Sequence, residues 1–263
     1  MPDSPTTATP LGRFCWYELL TSDVDGASKF YSQVTGWESS ACEDIPYTNF
    51  LNGGKAVAGM MVMPPELVEH GVPNHWLAYV STPDVDATAA RAEELGGKVV
   101  NRLEIPRVGR MAVIEDPGGP VFMAIQPDDE TPGHDGHRQQ GEVSWHELIS
   151  TDMEASCSFY TELFGWEKTN RMDMGPAGAY QMFGRGGVKL GGMMNRNDQM
   201  PVPPCWALYI RVADVEAAAG KIAAAGGRIT VDPMSVPGGD MILHAMDPQG
   251  AAFALHASSH DNT

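Results

Sequence analysis

Cysteine is scarce in this chain: Cys15, Cys42, Cys157 and Cys205 form no CxxC pair. That spacing supplies no zinc knuckle, redox dithiol or disulfide framework, so reduced, buried thiols are expected. Basic side chains are also few, 17 Lys and Arg against 34 Asp and Glu, and the net charge is −17. Such a chain repels phosphate backbones and anionic lipid, which excludes nucleic acid and membrane surfaces as partners. Long apolar runs are missing as well. The longest, around residues 56–63, is far shorter than the roughly 18–20 residues of a membrane span. The first twelve residues are polar and rich in Pro and Thr, without the basic and apolar regions of a secretory leader. A soluble, cytoplasmic protein is expected. The Gly-rich stretches 51–54 and 184–187 neither match GxxxxGK[ST] nor open a helix, and read as hairpin turns. No Ser-His-Asp spacing or nucleophile elbow stands out.

Glycine (29) and proline (20), by contrast, are plentiful, and 43% of residues are apolar, the balance of a turn-rich globular protein. A length of 263 residues suggests two domains. The chain repeats itself. Residues 16–38 laid over 145–167 give nine identities in 23 positions without a gap. They are Trp16/Trp145, Glu18/Glu147, Leu19/Leu148, Asp23/Asp152, Phe30/Phe159, Tyr31/Tyr160, Gly36/Gly165, Trp37/Trp166 and Glu38/Glu167. Similar offsets recover Tyr47/Tyr180, the GMM triplets 59–61 and 192–194, Trp76/Trp206, Tyr79/Tyr209, the Gly-Gly pairs at 96 and 226, and Asp-Pro at 116 and 247. Residues 127–141 lack an apolar period and read as a linker. The organisation expected is a flexible tail 1–12, domains at 13–126 and 142–257, and a tail 258–263.

Each copy divides again. A strand over 15–21 leads, through Ser22 or Asp23 as cap, into a helix with Ala27, Phe30, Tyr31 and Val34 at helical spacing, ending at Gly36. A strand over 76–81 leads through Asp84 into a helix over 85–95 that stops at Gly96 and Gly97. Strands over 98–101, 111–115 and 121–125 follow, with a turn at Asp116-Pro-Gly-Gly.

The Phe-Tyr helices ending in Gly-Trp, the helices ending in Gly-Gly, and the Asp-Pro turn before a last strand, all recurring twice, resemble the vicinal oxygen chelate superfamily. That superfamily includes glyoxalase I, bleomycin-resistance proteins and extradiol dioxygenases. The two-domain arrangement is similar to an actinobacterial branch that contains a mycobacterial antigen group. The resemblance implies an α+β fold: tandem glyoxalase-like domains, each of two βαβββ modules forming a curved mixed sheet around a cavity.

In the family's metal-dependent members, four cavity-facing side chains hold a divalent ion. Carried over by counting from the motifs, those positions fall on Trp16, Leu77 and Met123, and on Trp145, Ala207 and Ala254. The remaining position, near the GMM triplets, offers no carboxylate between 56 and 63 or between 188 and 194. Indole and alkyl groups donate no electron pair, and one thioether does not replace O or N donors. No metal and no cofactor are therefore expected. Among the histidines, His70, His134, His137 and His260 are expected in solvated loops or tails, and His75 just ahead of a strand. His146 should face the helices, His244 lies in a strand before Asp247, and His256 shares the parity of Ala254 and is a pocket candidate.

By alternation Glu18 shares the cavity face with Trp16, and Glu147 with Trp145. A carboxylate there would be partly desolvated, which suits a general acid or base, or it would simply hydrogen-bond a neighbouring Tyr, Arg or backbone N–H. Tyr79 and Tyr209 share the face of Leu77 and Ala207, whereas Trp76 and Trp206 have core parity. Tyr47, Tyr180 and the triplet residues Met60, Met61 and Met193 complete the expected lining, with flexible thioethers suited to an irregular apolar shape. The favoured function is metal-independent binding of a small, mostly apolar aromatic or polyketide-like molecule for sequestration or detoxification, by a monomer or a homodimer. The competing reading is a cofactor-independent lyase, isomerase or cyclase with Glu18 or Glu147 as general base. Metal-dependent glyoxalase or dioxygenase chemistry ranks last.

Overall fold

The computed structural model describes residues 9–129, 132–134, 136, 138–198, 200 and 202–259; His137 and His260 lie outside them. The first half runs β1 (Phe14–Thr21), α1 (Val24–Thr35), β2 (Glu38–Ala41), β3 (Thr48–Asn52), β4 (Lys55–Val62), α2 (Pro65–Glu69), β5 (His75–Ser81), α3 (Val85–Glu94), β6 (Lys98–Ile105), β7 (Gly109–Glu115) and β8 (Val121–Pro127). The second repeats it: β9 (Val143–Ser150), α4 (Met153–Phe164), β10 (Glu167–Asp173), β11 (Ala179–Arg185), β12 (Val188–Asn195), β13 (Cys205–Arg211), α5 (Val215–Ala224), β14 (Arg228–Ser235), β15 (Met241–Met246) and β16 (Ala252–Ala257). Each half is one eight-stranded mixed sheet of two βαβββ modules, in the orders β2-β3-β4-β1-β5-β8-β7-β6 and β10-β11-β12-β9-β13-β16-β15-β14. The short helix α2 has no counterpart in the sequence reading; Pro65 opens it and no buried residue anchors it.

The long helices start where the sequence places their caps. The carboxylate of Asp23 accepts from the Gly26 N–H and that of Asp152 from the Ala155 N–H, and α1 ends on Gly36 at φ 82°, where only glycine is unstrained. The buried faces of these helices belong to one continuous core that also holds residues of both sheets, such as Leu19, Trp76, Leu148 and Trp206. The halves are thus joined through their helix layers.

The repeated motifs are the parts that meet across that joint. Phe30 packs edge-to-face on Phe253 at 5.7 Å, and Phe122 meets Tyr160 at 5.5 Å. Tyr31 donates its hydroxyl to Asp247 at 3.2 Å. A Cβ on Gly227 would press against Phe30, and one on Gly97 against Phe159, so each Gly-Gly pair is a notch for the other half's phenylalanine. The Gly-Trp indoles are exchanged as well: Trp166 Nε1 donates to the Gly12 carbonyl and Trp37 Nε1 to the Gly141 carbonyl, each at 2.8 Å. Residues 9–12, expected within a flexible tail, are held by that bond and by Ser81 Oγ donating to the Pro10 carbonyl.

Candidate functional site

The site is built on the sheet face turned away from the helices. In the first half Cys15, Leu77, Tyr79, Met111, Met123 and Ile125 form a separate apolar cluster there, with Trp16 and Val113 against it. Trp16 Nε1 donates to the Tyr47 hydroxyl at 2.8 Å, and Tyr79 donates its hydroxyl to Glu18 Oε2 at 2.9 Å. The Tyr47 phenol lies near enough to Glu18 to help hold its carboxylate. In the second half Trp145 Nε1 donates to the Tyr180 hydroxyl at 2.8 Å, Tyr180 donates to Glu147 Oε2 at 3.0 Å, and Tyr209 Oη lies 2.7 Å from His244 Nε2. Each half therefore gathers an indole, two phenols and a carboxylate, bonded in the second half as the chain Trp145–Tyr180–Glu147.

Both carboxylates are 7% exposed. Burial lifts Glu18 above the usual carboxylate range, against the opposing effect of the Tyr79 and Tyr47 phenols. Burial, and next the charge of Glu18, push the Tyr79 and Tyr47 phenols far up, so both remain protonated donors at neutral pH. Glycine makes the arrangement possible. Gly59 pairs with Glu18 across the parallel β1–β4 ladder, and Gly192 pairs with Glu147. A Cβ at Gly59 would occupy the ring of Tyr47, and one at Gly192 the ring of Tyr180, so the triplet glycines let the phenols lie over the strand.

The triplet methionines divide. Met60 pairs with Leu19 and Met193 with Leu148, and both thioethers belong to the helix-side core, not to the site expected of them. Met61 and Met194 are half-buried and have the opposite parity. Trp76 and Trp206 lie in the helix-side core, where their indole N–H groups donate to Tyr31 and Tyr160. His146 also faces the helices: it stacks on Phe14 at 3.7 Å, and burial lowers it to about 3, leaving it neutral.

The two halves differ at the floor of the site. Leu77 and Met123 of the first half are replaced by Ala207 and Ala254, with Tyr79 and Tyr209 holding the same register beside them. Val113, paired with Met123, is replaced by His244, paired with Ala254. Ile125 is replaced by His256, whose Nδ1 lies 2.8 Å from Ser144 Oγ and whose Nε2 lies 3.1 Å from Asp240 Oδ2. Sequence reasoning missed His244 and Ser144. The first was visible as a polar residue at an apolar position of the other copy; the second sits at a bulge between the β9–β13 pairs Tyr209–Trp145 and Ile210–Val143, where simple alternation fails.

A divalent cation does not fit the positions the fold reserves for it. Trp16, Leu77, Met123, Trp145, Ala207 and Ala254 offer no oxygen or basic nitrogen, and both indole N–H groups are spent on phenols. No group of three or more His, Cys, Asp and Glu close enough to hold a metal occurs among the described residues. No helix among the described residues is long and apolar enough to cross a membrane.

Two halves of mixed sheet, each with an open face and helices behind it, define a tandem glyoxalase-like protein. The family model of the Glyoxalase/Bleomycin resistance protein/Dioxygenase superfamily matches residues 13–123 and 142–255, and the chain belongs to that superfamily. CFP32 of Mycobacterium tuberculosis, provisionally named a glyoxylase, is 32% identical over 249 residues, covering 91% of this chain and 92% of its own. The anthracycline biosynthesis protein DauV of Streptomyces sp. strain C5 is 28% identical over 268 residues, covering 93% and 92%. The Mn(II)-bound glyoxalase of Novosphingobium aromaticivorans shares the fold, with a TM-score of 0.64, 18% identity, and coverage of 95% of this chain and 83% of that one.

Proposed function

We propose that the outer face of the second half binds a small, planar, mostly apolar aromatic or polyketide-like molecule without a metal, for sequestration or detoxification. The observation that carries this reading is the difference between the copies. The acid, indole and phenols are kept in both, but Leu77 and Met123, which help fill the first site, give way to Ala207 and Ala254 in the second. A flat ring system would lie over those alanines beside the half-exposed indole of Trp145, with the protonated Tyr209 and Tyr180 and the Glu147 carboxylate orienting its polar substituents. The likeness to DauV, a protein of anthracycline biosynthesis, supports the same ligand class. Titration with a hydroxyanthraquinone, read by quenching of tryptophan fluorescence, is expected to saturate. Installing the first half's residues, Ala207→Leu with Ala254→Met, weakens binding by about tenfold or more. Equal affinity in that variant would remove the second half as the site.

A second reading rests on the buried position of Glu18 and Glu147 and the raised affinity of Glu18 for its proton. Either carboxylate would act as general base in a cofactor-independent lyase, isomerase or cyclase reaction, taking a proton from an enolisable carbon while the neighbouring phenols bond the developing enolate oxygen. Hydrogen–deuterium exchange at the α-carbon of an aromatic β-keto ester, followed by NMR, tests it. Glu18→Gln or Glu147→Gln slows the catalysed exchange by about a hundredfold, and unchanged exchange in both variants rules the chemistry out.

A further inference from the structure

Where the connecting segment crosses the end of the second sheet, a cavity of about 180 Å³ is lined by Arg138, Ser144, Lys189, Leu190, Arg211 and His256, among others. Three of these six side chains are cationic, in a chain whose net charge is −17. We propose that this cavity is a binding site for a small oxyanion, a carboxylate or phosphate group, adjoining the aromatic site on the outer face at His256.

Chemistry and position both favour an anion. Arg138 comes from the connecting segment, Lys189 from β12 and Arg211 from β13, so three unrelated backbone segments bring positive charge to one concavity. The Arg211 guanidinium donates to the Arg138 carbonyl, which ties two of them together. Behind His256, Asp240 is fixed by three bonds: its Oδ1 accepts from the Ser259 N–H at 2.8 Å and from Ser259 Oγ at 3.1 Å, and its Oδ2 lies 3.1 Å from His256 Nε2. An ionised Asp240 fixes Nε2 as the protonated nitrogen, so neutral His256 offers Nδ1 as acceptor to the Ser144 hydroxyl, 2.8 Å away. That hydroxyl has a second acceptor in the Tyr209 carbonyl at 3.3 Å.

Among the described residues, the charged groups of the cavity are Arg211 on β13, Lys189 on β12 and Arg138, with Asp240, ahead of β15, behind His256. The next acid, Glu142, accepts from the Gln139 N–H, lies 3.0 Å from His134 Nε2 and also faces the charge of Arg138, which leaves Lys189 and Arg211 as the cations on the strands.

The fold alone does not create this site. At the matching end of the first half the cavity is only about 40 Å³. Cys15 stands there in place of Ser144, Ile125 in place of His256, Gly109 in place of Asp240 and Ser81 in place of Arg211. Cys15 still donates to the Tyr79 carbonyl, as Ser144 does to the Tyr209 carbonyl; His134, Arg138 and Glu142, from the segment ahead of β9, line that smaller cavity too, but the positions of His256, Asp240 and Arg211 hold no imidazole, carboxylate or guanidinium there.

The test uses the full chain at neutral pH and constant ionic strength, with sulfate and acetate as anionic probes and the His256 imidazole NMR signals as readout. Saturable shifts are expected with a dissociation constant near or below about 1 mM. Arg138→Gln and Lys189→Gln each weaken binding about threefold to tenfold, and together by more. A response to sulfate alone assigns a phosphate-like ligand, and to acetate alone a carboxylate. No saturable shift from either, or equal affinity in the charge variants, overturns the proposal. The aromatic titration, read on tryptophan fluorescence, is unaffected by that outcome.

Discussion

Truncating Phe30 or Phe159 to alanine destabilises the entire chain by about 3–5 kcal/mol, and both halves of each variant unfold in one transition. Each ring is 2% exposed and projects from its own half into the other. Phe30 meets Phe253 and the Gly227 notch, and Phe159 meets Phe122 and the Gly97 notch. Alanine leaves a cavity that neither half can close without shifting a helix against the opposite sheet. The core is continuous through both helix layers, so its loss is felt in both sheets. Chemical denaturation followed by tryptophan fluorescence and far-ultraviolet circular dichroism checks this. Separate midpoints for the two probes, or a loss under about 1 kcal/mol, would show that the halves are independent. Cross-packing of this kind also explains why the motifs recur: Phe-Tyr, Gly-Gly, Asp-Pro and Gly-Trp are paired contacts that a duplication supplies in complementary sets.

Most of the architecture was legible because the chain states it twice. Helix caps, glycine stops and strand periods fell within a few residues of the observed elements, since each depends on local chemistry that the duplication repeats. What the motifs hold together was not legible, because contacts between halves have no period in the sequence. At the site, alternation placed Trp16, Glu18, Leu77 and Tyr79 on one face, which needs only a regular strand. The same rule applied to the GMM triplets would have divided the methionines, since Met60 and Met61 cannot share a face. Their glycines were the informative members, marking where a tyrosine ring crosses the strand. Ser144 escaped because a bulge interrupts alternation at the start of β9. The conversion of Val113 and Ile125 to His244 and His256 was readable by comparing the copies position by position and asking where polarity changes.

The Asp116 turn carries the second large effect, and its sign is opposite to that of an ordinary buried acid bound by a cation. Asp116 is 3% exposed; Oδ1 accepts the Gly118 N–H at 2.7 Å, while Oδ2 is buried without a hydrogen bond of normal geometry among the described residues. Burial pushes its carboxyl up to about 6, against the opposing bonds from Gly118 and the Ser156 and Tyr160 hydroxyls of the other half. In the unfolded chain an aspartate titrates near 4, so between about pH 4 and 6 the folded state binds more protons and stability falls as pH rises. Above that window the folded protein carries the full cost of a buried anion, on the order of 2–3 kcal/mol at 1.36 kcal/mol per pKa unit. Asp116→Asn keeps the acceptor for Gly118 and places an amide, which can donate to the hydroxyl oxygens, where Oδ2 stands. The variant is therefore more stable than the parent by about that amount at neutral pH, and the difference closes toward zero below about pH 4. Denaturation midpoints of both proteins across this range measure it. A variant less stable at neutral pH, or a difference that ignores pH, would mean that the ionised carboxylate is itself the bond holding the turn of one half to the helix of the other.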